Sequence, residues 1–166
     1  MNGDHSGHMN KQGMRNYMIF GVNLLLGLVV MYLAMFTMID GVSDFRNNLN
    51  MFYMALTMLA PMGIMMLAMM GEMYPWRSLN VAIYAGLVVL CVVSLTATRR
   101  QWLVEDRQFI ASMIPHHSGA ILMCRESRLK DQELAQLCEQ ISRSQRDEIM
   151  QMNAIAERLE AGREAP

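Results

Sequence analysis

His116 and His117 stand side by side, three and four residues after Met113. Thioether sulfur and imidazole nitrogen are soft to borderline donors, and together they suit Cu(I) or Ag(I) better than a hard cation. On a helix, adjacent residues point about 100° apart, so two neighbouring histidines rarely chelate one ion together. Residues three or four apart share a face. Met113 can therefore clamp an ion with either histidine, while Met123, two turns beyond His116, suits a neighbouring ion. The competing reading is that both histidines are seam residues, hydrogen-bonded to polar partners on a facing helix.

Those partners are legible downstream. An apolar stripe runs Phe109, Met113, His116, His117, Ala120, Ile121 and Cys124. A second runs Leu134, Leu137, Cys138, Ile141, Gln145, Glu148, Met152, Ile155 and Leu159. Both follow three- and four-residue steps, and the opposite faces carry Arg, Lys, Asp and Glu. The segment Arg128-Leu129-Lys130-Asp131 separates them, with Asp131 placed to cap the second helix. An antiparallel hairpin turning there sets His117 against Ser144–Gln145, Met113 against Glu148 and Phe109 against Met152. It also sets Cys124 opposite Cys138, as a disulfide, as thiol ligands or, the first expectation, as plain core residues. A polar layer inside an apolar seam costs free energy unless its members satisfy one another or hold an ion. Zinc is open to His116, His117 and Glu148 if a second chain contributes. Pro115 removes a backbone donor just before the histidines, which predicts a kink or a restart.

The elements upstream are of another kind. Charged residues are nearly absent from Tyr17 to Thr98 and dense from Arg99 onward, a division that a mean hydropathy of +0.17 conceals. Tyr17–Ile39, Met51–Met70 and Leu79–Thr98 are each about long enough to cross a hydrocarbon core of roughly 30 Å. The breaks between them hold Asp, Asn, Gly and Pro, as short loops do. Tyr17, Tyr53, Tyr74 and Trp76 fall near run ends, where interfacial aromatics gather. The first run is too long for a signal peptide and is followed by two more spans. The third span is expected to run on toward the first hairpin helix, since no Gly or Pro intervenes before Pro115. The organisation read from sequence is a mobile tail over 1–16, a three-helix transmembrane region over 17–98 and a helical hairpin over 99–162. A net charge of −1, with no basic cluster beyond Arg99-Arg100, gives no footing for nucleic acid.

Two further features involve methionine, of which the chain has 20. Met51, Met54, Met58, Met62, Met65 and Met69 form one stripe on the second span, read first as packing or lipid contact and second as a thioether track for Cu(I). The head Asp4-His5-Ser6-Gly7-His8-Met9 is a loose Cu(II) or Ni(II) site or an idle tail. Three spans, a methionine stripe and such a head are similar to Ctr-type copper transporters, but the third span lacks their Gly-x-x-x-Gly and has only Gly86.

Asp106-Arg-Gln-Phe109-Ile-Ala-Ser-Met113-Ile114-Pro115-His116-His117-Ser118-Gly119-Ala120-Ile121-Leu122-Met123 closely resembles the motif of the bacterial domain-of-unknown-function 305 family. Ile141-Ser-Arg-Ser-Gln145-Arg-Asp-Glu148-Ile149-Met150-Gln151-Met152 resembles its second segment, and the likeness covers about Val104–Leu159. The resemblance implies a ferritin-like helical domain, often exported, associated with copper or silver binding and tolerance. Carried over, it implies Met113, His116, His117, Met123, Met150 and Met152 as ligands. One hairpin is half of a four-helix bundle, so a homodimer, a higher oligomer or another partner would complete it.

The expectation is an all-α chain of three transmembrane helices followed by an antiparallel hairpin, half of a ferritin-like bundle. It is expected in the bacterial inner membrane, N-terminus inside and hairpin in the periplasm. Lys11 and Arg15 before the first span favour that orientation, while Arg99 and Arg100 oppose it. Its expected role is non-catalytic: to sequester or hand over Cu(I), with silver or zinc as other cargoes. A di-metal enzyme is not indicated, because neither histidine has a glutamate at the Glu-x-x-His offset.

Overall fold

The computed structural model describes residues 4–164, and every regular element among them is helical. The order is α1 (Asp4–Ala34), short 3-10 turns at Met35–Met38 and Val42–Asp44, α2 (Leu49–Met69), a turn at Gly71–Met73, α3 (Arg77–Arg100), α4 (Asp106–Glu126) and α5 (Gln132–Glu164). The chain divides into two compact units. One holds residues up to Leu33 with Phe52–Arg100; the other holds Ala34–Met51 with Gln101 onward.

The first unit is built from the three apolar runs. Stretches at Lys11–Met38, Leu49–Met69 and Arg77–Arg100 are long and apolar enough to span a membrane. Phe20, Leu67, Tyr74 and Leu87 form its buried cluster. Small residues let the helices approach: a Cβ on Gly63 would come within 3.0 Å of both Leu24 and Leu87. Thr57 donates to Ser94 across α2 and α3 at 2.9 Å. The Tyr17 hydroxyl donates to Asn80 at 2.6 Å, and its ring stacks on Trp76.

The expected tail reads differently in the structure, because α1 runs from Asp4. Asn16 donates to the Met73 carbonyl at 2.9 Å, and Gly13 packs against Pro75 and Trp76. The side chains of His5, His8 and Met9 lie outside the described residues. The methionine stripe of α2 divides: Met54, Met58, Met65 and Met69 are exposed, Met51 and Met62 are half-buried, and Met62 packs against α1 at Gly27, while Ala55, Leu59, Ala60, Gly63 and Leu67 are buried.

In the second unit α4 and α5 form the antiparallel hairpin. Asp131 caps α5, its carboxylate accepting from Leu134 N at 2.8 Å. The core is Ile110, Ile114, Ile121 and Ile149, with Met152, Ile155 and Leu159 packed on it. Three expectations need correcting. α3 does not run on: Gln101 and Leu103 adopt φ of 52° and 58°, and these left-handed residues end the helix without glycine. Pro115 does not restart α4, which is continuous from Asp106 to Glu126. And Cys124 is bonded to Cys138, with Cα atoms 5.4 Å apart, rather than being a plain core residue.

The segment between the first two spans is more than a loop. Ser118 on α4 accepts from Asp40 N at 2.6 Å and donates to the Asp44 carboxylate at 2.5 Å. Arg125 pairs with Asp40, and Arg46 with Asn153 at 3.3 Å. Gln108 accepts from Leu49 N, while Asn48 caps α2 through Met51 N, each at 2.9 Å. Residues 34–51 therefore belong with the hairpin, so the division is not a single cut after residue 98.

Candidate metal centre

His117 sits in the α4–α5 seam, 8% exposed. Its Nδ1 lies 2.8 Å from the Met113 carbonyl oxygen. A carbonyl can only accept, so Nδ1 carries a proton and donates. The ring is thereby fixed, and its Nε2 points at the Glu148 carboxylate, 2.8 Å away. Glu148 also accepts from Ser144 at 2.7 Å, one turn earlier on α5.

This pairing shifts the expected register by about one turn, for a geometric reason. Side chains lean toward the N-terminus of their own helix. In an antiparallel pair the two leans oppose, so long side chains meet between backbones that are not level. The short cysteines keep the backbone register, whereas His117 reaches away from the turn and Glu148 toward it. Arg107, reaching to the Leu159 carbonyl at 3.3 Å, follows the same rule. Glu148 thus meets His117 rather than Met113, and Phe109 is exposed instead of packing on Met152.

The remaining candidates separate by exposure. Met113 is half-buried one turn before His117, and Met152 is half-buried against the isoleucine core. His116 is exposed; its ring centroid is 6.0 Å from that of His117, with the planes 80° apart. Met123 and Met150 are exposed, and Met150 lies on the far side of α5. No group of three or more His, Cys, Asp or Glu able to hold a metal occurs among the described residues. The seam therefore joins His117 and Glu148, flanked by Met113 and Met152, and leaves His116, Met123 and Met150 outside.

Sequence reasoning missed Ser118, the fully buried hydroxyl that fastens α4 to residues 40–44. Its neighbour Gly119 carried the only signal: a Cβ there would lie 3.1 Å from the Met38 carbonyl oxygen. Near the turn of the hairpin, Arg125, Glu139, Arg143 and Arg146 line a shallow cavity of about 390 Å³ beside the disulfide. The Glu126 hydrogen bond, helped by the Asp40 charge, holds the Arg125 guanidinium above its ordinary range.

The profile of the family described as "Domain of unknown function (DUF305)" matches residues 95–156, from the end of α3 into α5. An uncharacterized protein of Acanthamoeba polyphaga mimivirus is 32% identical over 145 residues, covering 86% of this chain and 93% of its own. That match takes in both units. No solved structure matches the chain.

Proposed function

The chain belongs to the domain-of-unknown-function 305 family, and from that premise we propose that it is a membrane-anchored protein that holds a soft cation, Cu(I) or Ag(I), in the α4–α5 seam for sequestration or hand-over. The ion is cargo. The observation that carries the reading is the His117 ring, fixed at Nδ1 by the Met113 carbonyl with Nε2 turned toward Glu148. Metal-binding histidines keep their second ring N–H on such an acceptor, which sets tautomer and orientation beforehand. A cation at Nε2 would take the place of the proton shared with Glu148. The donor chemistry fits a soft ion, because half-buried Met113 lies one turn from His117 on α4 and half-buried Met152 one turn from Glu148 on α5.

Three apolar helices support a multi-pass anchor. With three spans, residues 39–48 and the hairpin share one side of the membrane, and the Cys124–Cys138 bond supports an oxidising side. In a bacterial cell that side is the periplasm, with the N-terminus in the cytoplasm. The four exposed methionines of the α2 stripe, Met54, Met58, Met65 and Met69, fit lipid contact better than a conduit within one chain.

The test is competition between the purified full chain and a chromophoric Cu(I) chelator. His117→Ala and the pair Met113→Leu with Met152→Leu should each weaken Cu(I) binding at least tenfold, while the methionine pair leaves Zn(II) binding unchanged. Wild-type affinity in His117→Ala refutes the proposal and leaves the seam as an ion-paired packing layer.

A further inference from the structure

Both residues of the Cys124–Cys138 bond line the cavity near the hairpin turn, so an open pocket of about 390 Å³ reaches the disulfide. Both cysteines are half-buried. The helical neighbours that line the cavity with them are small. Ala135 and Ser142 stand one turn before and one turn after Cys138, and Ser127 stands three residues after Cys124. Such neighbours leave the bond open to a small reagent, an opening that a purely structural tie does not require.

The charged lining is uneven. It holds Arg125, Arg143 and Arg146 against one carboxylate, Glu139. Arg125 is engaged by Asp40 and Glu126, and Arg143 by Glu139 at 3.3 Å. Arg146 makes no hydrogen bond or ion pair among the described residues, which leaves its charge free to meet an anion. Cys138, Ser142 and Arg146 follow one another at four-residue steps on one face of α5. Side chains lean toward the N-terminus of their own helix, so Ser142 carries its hydroxyl toward Cys138. A thiolate released at Cys138 gains that donor, and a stabilised thiolate is the better leaving group.

We propose that this cavity is a thiol–disulfide exchange site for a small thiol that carries carboxylates. The carboxylates meet Arg146 and the exposed Arg143 while the thiolate sulfur attacks Cys124 Sγ. A bond forms between those two sulfurs, the Cys124–Cys138 bond breaks, and its electron pair leaves on Cys138 Sγ. A second small thiolate then attacks the sulfur of the bound one and frees Cys124 as a thiolate. Two small thiols are thereby oxidised to one disulfide, and the protein bond is reduced to two thiols. The two protons pass from the small thiols to the cysteines. The reverse sequence restores the protein bond by reducing a small disulfide. No metal takes part, so this site and the His117 seam stand or fall separately.

The experiment uses the full chain in detergent, with Cys91→Ser to remove the one free thiol among the described residues. Bond opening is followed by alkylation and mass with mercaptosuccinate, 2-mercaptoethanol and cysteamine, which are anionic, neutral and cationic. Each rate is taken per thiolate and divided by the rate of that thiol on an uncharged small disulfide. Mercaptosuccinate should be favoured over 2-mercaptoethanol by about fivefold or more, and cysteamine disfavoured. Salt at about 1 M should erase the difference. Arg143→Gln/Arg146→Gln should lose the preference yet keep the 2-mercaptoethanol rate. Ser142→Leu, which fills the cavity and removes the donor, should slow all three thiols. The first adduct trapped should sit on Cys124. Equal normalised rates for the three thiols overturn the proposal, as do a preference that survives in the arginine variant, unchanged rates in Ser142→Leu or a first adduct on Cys138. So does opening whose rate does not rise with thiol concentration, because the bond then reacts only when the hairpin unfolds.

Discussion

Ser118 is 0% exposed and serves two partners at once, the Asp40 amide and the Asp44 carboxylate. Ser118→Ala leaves the half-buried Asp44 carboxylate and the Asp40 amide each short of a partner, at about 1 kcal/mol for each hydrogen bond lost. Thermal unfolding of the purified chain should show that loss without any change in the membrane spans. Beside it, Gly119→Ala should destabilise, because its Cβ meets a backbone oxygen that cannot swing aside. Gly162→Ala on open α5 should be neutral or slightly stabilising. At His117, Glu148→Gln keeps a hydrogen-bonding partner and Glu148→Ala removes it. The alanine variant should therefore be the less stable of the two. At this scale the sequence announced His117 and Glu148 but not their pairing, since level backbones do not say which way long side chains lean. It announced His116 equally loudly, although one residue of rotation carries it out of the seam.

The hairpin depends on one core and one covalent tie. Ile114 is 1% exposed, so Ile114→Ala should cost about 2–5 kcal/mol, read as a lowered denaturant midpoint of the second unit. The disulfide closes a loop of sequence separation 14, and Cys138→Ser should cost about 3 kcal/mol in the chain-entropy account. Wild-type chain treated with reductant should lose a similar amount, while the Ser variant should not respond. The spans, the hairpin, its turn and the Asp131 cap were all legible, because each rests on local periodicity or a local capping rule. The α3–α4 break was not, since Gln101 and Leu103 turn the chain with no glycine to advertise it. Nor could spacing say that Ile110, Ile114 and Ile121 meet α5 while Phe109, His116 and Met123 stay exposed, because both sets recur at helical steps.

For the whole molecule, three spans place successive loops on alternate sides of a membrane. A membrane-impermeant maleimide should label Ser43→Cys and Ser127→Cys in intact cells, and Glu72→Cys only after permeabilisation. The reverse pattern would put the hairpin in a reducing compartment and count against the disulfide. The division into two units was only partly readable. Asp40, Asp44 and Arg46 look like turn formers between two spans, and nothing local reveals that their partners lie far along the chain.

That distance governs when the molecule can be finished. Asp40 and Asp44 leave the ribosome 74 to 85 residues before Ser118 and Arg125, the groups that anchor them. During synthesis the first interhelical segment must wait, without these partners, while α2, α3 and the first part of α4 are made. Assembly of this unit is therefore a late event in synthesis, and contacts over such separations form slowly. A chain released just after Arg100 should therefore leave residues 34–51 open to proteases, a vulnerable interval that the longer chain passes through each time it is made.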